Sequence, residues 1–114
     1  MTASQITIFN CNSNYFPDSS KYSTLQIWVL DHTAQTPWQN VGSLAVQYDA
    51  FGYCPGVGQP VVVPLTDGHV YLIVCVDEDL TGCGTNDPTV VGCQRAMVVV
   101  QGSQNGSNIP WVVS

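Results

Sequence analysis

A chain of 114 residues, 45% hydrophobic but only 9% charged, is long enough for one domain with its own core and too apolar to be a disordered segment. The net charge is −6, with Lys21 and Arg95 the only strong bases, so the cations that phosphate backbones and anionic membranes require are missing. No apolar run reaches the roughly 18–20 residues of a membrane span.

Charged residues make up about 25% of an average soluble domain, and here Ser, Thr, Asn, Gln and Gly take their place. Such surfaces suit secreted proteins and assembled shells. The start, Met-Thr-Ala-Ser-Gln, lacks the basic and apolar regions of a signal peptide. The chain either works inside the cell, leaves by an unconventional route, or carries Met1 in place of a leader. Composition and cysteine count favour an extracellular, cell-surface or particle-surface location.

No stretch repeats apolar residues at helical spacing while avoiding Gly, Pro and β-branched residues. In chain order, seven runs read as strands: Gln5–Asn10, Thr24–Asp31, Ser43–Asp49, Gln59–Leu65, His69–Asp77, Gln94–Gln101 and Ile109–Val113. Each is rich in β-branched or aromatic residues and is bounded by turn formers. A polar loop containing Pro17 follows the first run. His32 to Gly42 holds Pro37-Trp38, and Phe51 to Gly58 is a Gly/Pro loop. The Asp67-Gly68 pair predicts a tight reversal that makes strands four and five antiparallel neighbours. Asn105-Gly106 predicts a second hairpin, and Pro110 assigns the last strand to an edge. The spacing predicts an all-β fold over residues 1–114: a two-sheet, antiparallel Greek-key β-sandwich of about seven strands.

Leu65 precedes Tyr71 by six positions, the turn pair lies between them, and Ile73 and Cys75 continue the strand. This arrangement resembles the tyrosine corner of immunoglobulin-like domains, with the fibronectin type III branch the nearest match, over residues 65–77. The resemblance implies that Leu65 plugs one end of the core and that the Tyr71 hydroxyl bonds nearby backbone. Position 73 is Ile where antibody domains carry Cys, so their inter-sheet disulfide is not implied.

Five cysteines point to an oxidising compartment. Cys83 and Cys93 bracket a loop that their pairing would close, stabilising by about 2–3 kcal/mol. Cys11 and Cys54 both follow strands and form a second candidate pair. Cys75 shares a face with Tyr71 and Ile73 and is predicted to be a buried free thiol.

Two groups of residues could carry function. Asp77, Asp79 and Asp87, with Glu78 and Asn86 nearby, are candidate oxygen ligands for Ca²⁺, because clustered carboxylates repel until a cation relieves them. The spacing is not that of an EF-hand loop, and a solvated acidic loop is the structural alternative. Trp38, Asn40, Asp49 and Tyr53 combine flat rings with polar neighbours, as a neutral-carbohydrate site requires. The same rings also suit a cap on the sandwich's open end. Trp28, mid-strand among aliphatic residues, reads as core, and Trp111 suits either core or interface. The two histidines, His32 and His69, lack metal-ligand spacing and an adjacent nucleophile. Neither Cys75 with His69 nor Asp49 with Glu78 meets the geometric roles of a catalytic site. Asn105-Gly106-Ser107 fits a glycosylation sequon.

The leading expectation is a non-catalytic recognition module for a neutral carbohydrate or similar polar ligand, with Ca²⁺ assistance. The alternative is a structural, self-assembling subunit that associates with protein surfaces or its own copies through strand edges. Few lysines guard those edges.

Overall fold

Strand alternation sends every second side chain to the same face, and Tyr71, Ile73 and Cys75 on one strand are all buried on the core side. A computed structural model of the chain describes residues 1–10, 22–47, 60–77 and 88–113. They form strands β1 (Thr2–Ala3), β2 (Gln5–Asn10), β3 (Tyr22–Asp31), β4 (Gln39–Gln47), β5 (Val61–Pro64), β6 (Val70–Asp77), β7 (Gln94–Gly102) and β8 (Asn108–Val113). A single 3-10 turn, Val91–Cys93, precedes β7. No helix among the described residues is long and apolar enough to cross a membrane.

The fold is all-β with two sheets. One has five strands in the order β1-β7-β6-β3-β4, the other three in the order β5-β2-β8. Ile6, Ile8 and Val63 of the smaller sheet pack with Leu25, Ile27, Leu44, Ile73 and Val100 of the larger in one core. Fully burying such an aliphatic side chain stabilises by about 1.5–3 kcal/mol.

Pairing is mixed rather than wholly antiparallel: β1 runs parallel to β7, and β2 runs parallel to β8. Two expected hairpins are therefore corrected. The Asp67-Gly68 turn carries the chain from β5 in the small sheet to β6 in the large one, so these strands are not neighbours. The Thr66 amide donates to the Tyr71 hydroxyl at 2.8 Å, and Leu65 N–H donates to Ser4 O at 3.0 Å. These bonds satisfy the crossing backbone where a ladder is absent. The Asn105-Gly106 turn likewise leads from the large sheet to β8 in the small one. It wraps the N-terminal strand: Ser103 N–H donates to Ala3 O at 2.9 Å and Ser4 N–H to Ser107 O at 3.1 Å. The Ser4 hydroxyl also lies 2.9 Å from Ser103 O and against Gly106 O. Three crossings thus meet at Ser4, where the chain itself steps from β1 to β2.

Strand β4 starts at Gln39, four positions before the expected Ser43, because a bulge between Ile27 and Trp28 lets pairing resume at Asn40. Strand β8, with Pro110, lies at an edge of the small sheet. Trp111 is half-buried against the core.

Cys75 is a free, fully buried thiol, and burial pushes it up to about 12. The folded state therefore holds the neutral thiol while an unfolded thiol ionises near its ordinary value. Stability supplied by Cys75 is complete below about pH 8.5 and declines as pH rises toward the folded-state value. At about pH 8, a thiol reagent is expected to leave Cys75 unmodified in native protein and to modify it only after unfolding, as read by peptide mapping. Modification at native rates equal to those in denaturant would contradict this burial. Cys93 is disulfide-bonded. Its expected partner Cys83, and the candidate pair Cys11 and Cys54, lie outside the described residues.

Candidate functional site

Antiparallel sheets with one solvated face normally alternate apolar and polar residues, and the five-stranded sheet does not. Its inward positions fill the core, yet along β6 and the facing stretches of β3 and β7 the outward positions are also apolar. Cross-strand register aligns Leu30, Leu72 and Val99 in one row and Trp28, Val74 and Met97 in the next. Trp28 is therefore corrected from core to outer face: Leu25, Ile27 and Val29 take the inward positions of β3, which leaves the ring on the other side.

The chain covers part of this face itself. Trp38, from the segment before β4, and Cys93, from the 3-10 turn, pack with Trp28 and Leu72 over Val74 and Val76, both 0% exposed. The Trp28 indole N–H is buried there and has no hydrogen-bond partner among the described residues. Among the described residues the covering stops short of Met97 and Val99. Met97 and Val99 are 56% and 59% exposed, beside a cavity of about 220 Å³ bounded by Leu30, His32, Val70, Leu72 and Val99.

A polar cluster sits where the β3–β4 turn meets the start of β6. Asp31 Oδ1 accepts the Ala34 amide at 3.0 Å, and His69 Nδ1 lies 2.8 Å from Asp31 Oδ2. An ionised carboxylate only accepts, so Nδ1–H is the donor. Thr36 Oγ1 accepts the Asp31 amide, and Thr33 Oγ1 accepts the Val70 amide. The hydrogen bond from His69, and then that from Ala34, hold the Asp31 carboxyl below its ordinary 3.8. Asp31 therefore stabilises the fold above its ordinary pKa, and that contribution disappears as pH falls from about 4 through the lower folded-state value. Asp31→Asn is expected to flatten the loss of thermal stability between about pH 4.5 and about pH 2.5. An acid limb identical to that of the parent would contradict the assignment. An Asp–His pair orients an imidazole, but among the described residues no hydroxyl or thiol is hydrogen-bonded to His69. A cleft of about 260 Å³ opens beside this cluster, lined by Val29, Asp31, Thr36, Gln39, Val41 and Tyr71 among others.

The candidate ligand residues are partly described. Trp38 is half-buried on the outer sheet face. The Asn40 amide donates to Gln26 Oε1 at 2.9 Å and accepts the Gly42 amide at 3.2 Å, which pins the bulge in β4. Asp49 and Tyr53 lie outside the described residues, as do Asp79 and Asp87 of the candidate calcium set. Asp77 ends β6, and its side chain is not described. Among the described residues no three His, Cys, Asp or Glu side chains gather as metal ligands.

Sequence reasoning missed the outer apolar face. Its signal was present: Val70–Val76 and Ala96–Val100 are continuous apolar runs, the pattern of strands covered on both sides. It also missed the Asp31–His69 pair, because 38 positions separate the partners and no local motif joins them. Comparisons with family models, curated proteins and solved structures found no match to this chain.

Proposed function

We propose that the protein is a structural, self-assembling subunit: a β-sandwich that associates with its own copies in a shell, filament or surface layer. The observation that carries this reading is the apolar strip of the five-stranded sheet left open among the described residues, where Met97 and Val99 are more than half exposed and Val99 lies in one row with Leu72 and Leu30. Contiguous exposed apolar surface marks an interaction site, whereas isolated exposed side chains do not. The low charge of the chain, 9%, supports close approach of like copies. The disulfide at Cys93 supports an oxidising, extracellular or particle-surface setting. The hydrogen bond from Thr66 to the Tyr71 hydroxyl supports reading the sandwich as immunoglobulin-like, with a Greek-key path.

The test is a pair of neutral substitutions, Met97→Gln with Val99→Thr, which removes apolar surface without adding charge. Self-association is expected to weaken by about tenfold or more, the equivalent of one lost apolar contact patch. Unchanged association would remove the face from the account.

A second reading, a carbohydrate-recognition module, is favoured by the cleft of about 260 Å³, where a carboxylate, Thr36, Gln39 and the Tyr71 ring converge. Neutral sugars present both hydroxyls and an apolar face, and such a lining suits both. Trp38 and Asn40 belong to the adjoining segment, and calcium assistance from Asp77, Asp79 and Asp87 remains part of this proposal. Sugar-dependent quenching of tryptophan fluorescence would support it, and silence across a glycan array would sink it.

A further inference from the structure

Each sheet of an open sandwich ends in strands whose outer N–H and C=O groups lack a ladder, and natural proteins blunt such edges with short strands, prolines or charges. Three of the four edges formed by the described residues are blunted. Strand β1 has two residues, β5 has four, is preceded by Pro60 and ends in Pro64, and β8 contains Pro110. The fourth edge is β4, nine residues long, Gln-Asn-Val-Gly-Ser-Leu-Ala-Val-Gln, with neither charge nor proline, and beyond its bulge at Val41 the stretch Gly42–Gln47 pairs with β3 in unbroken register. Among the described residues no strand lies beyond it.

We propose that the open edge of β4 is the seam at which two copies of this chain join, strand to strand and antiparallel, about a two-fold axis perpendicular to the sheet. This inference rests on the self-assembly reading and names its contact. Charge selects the occupant. A chain of net charge −6 would recruit a foreign acidic partner poorly and a basic one through acidic side chains. The segment Gln39–Gln47 offers none, so it gives a cationic partner no purchase and adds no local repulsion when a like copy approaches.

The geometry is self-complementary. An isologous two-fold contact brings the same strand against itself, and antiparallel pairing is what a two-fold axis normal to the sheet produces. Directly opposed residues must then share a face, so buried Leu44 stays on the core side in both copies. Ser43, which is exposed and opposes Gln26, stays on the outer side. Two five-stranded sheets become one continuous sheet, and their uncovered outer strips lie on the same side. A closed edge contact plus a separate face contact propagates, which is how a subunit of a layer or shell must connect.

The test uses the full chain. Amide hydrogen exchange is measured at low and high protein concentration, and sedimentation is measured for the parent and for Ser43→Lys. The seam predicts that alternate amides within Gly42–Gln47 slow by about tenfold or more at high concentration, because only one set of strand amides faces the edge. It predicts that Ser43→Lys raises the concentration needed for association by about tenfold, since it brings one lysine from each copy into the same edge-to-edge seam. The substitution changes the net charge from −6 to −5 (−6 + 1), so relief of general repulsion would strengthen association instead. If the parent assembles while β4 amides and the lysine variant behave as bystanders, the seam is wrong and the self-assembly reading survives. If the parent stays monomeric at every concentration, both fall.

Discussion

Gly102→Ala is expected to destabilise the fold by about 3 kcal/mol or more, the largest effect expected of an added methyl among the described glycines. A Cβ at Gly102 would overlap the Thr66 carbonyl oxygen and stand 2.7 Å from its carbon. Relief requires backbone to move, because the atoms in the way are backbone and not the ends of flexible side chains. Thr66 cannot move freely. Its amide is held by the Tyr71 hydroxyl, and its carbonyl accepts the His69 amide at 3.1 Å. Gly102 is itself bonded on both sides: its N–H donates to His69 O at 2.7 Å, and its carbonyl accepts the Gly68 amide at 2.9 Å. Gly92→Ala is the control, since nothing lies within 4 Å of its added carbon. Urea denaturation of both variants checks the point. A loss at Gly102 below about 1 kcal/mol would mean that the crossing is softer than this lattice of bonds implies.

Tyr71→Ala is expected to cost about 3–5 kcal/mol, as truncation of a buried aromatic ring does. The ring is 6% exposed and belongs to the main core. Tyr71→Phe separates the hydroxyl from the ring. It keeps the packing but leaves the Thr66 N–H, bonded at 2.8 Å, without its partner. That loss is expected to cost about 1–2 kcal/mol, at the lower end for a backbone amide because Thr66 is exposed and water can reach it. The order Ala, then Phe, then parent in urea midpoint is therefore the expected result. A Phe variant as unstable as Ala would make the hydroxyl bond, rather than the ring, the chief contribution. A Phe variant equal to the parent would remove the bond from the energetics.

Both predictions concern the region that was most legible in the sequence. Leu65, Tyr71, Ile73 and Cys75 announced a buried strand face, and the turn at Asp67-Gly68 announced a reversal. What the sequence did not disclose was the sheet to which each strand belongs. A turn pair such as Asp67-Gly68 or Asn105-Gly106 reverses the chain in the same way whether its strands pair or separate. The outcome depends on distant backbone, here Ser4 and Ala3. Parallel pairing of β2 with β8 joins residues about a hundred positions apart, beyond any local pattern. The outer apolar strip was written in the runs Val70–Val76 and Ala96–Val100, but alternation was read as one-sided there. Of the candidate ligand residues, Asn40 was legible only by type: its amide fixes a bulge that no sequence rule located.

The seam and the uncovered strip make different demands on solution behaviour, yet both require that the chain not remain alone. Sedimentation equilibrium of the unmodified protein over about 1 μM to about 1 mM spans the affinities that weak strand and face contacts confer. The account predicts an average mass that climbs with concentration above the 12.3 kDa of one chain. A mass fixed at 12.3 kDa throughout that range would contradict it.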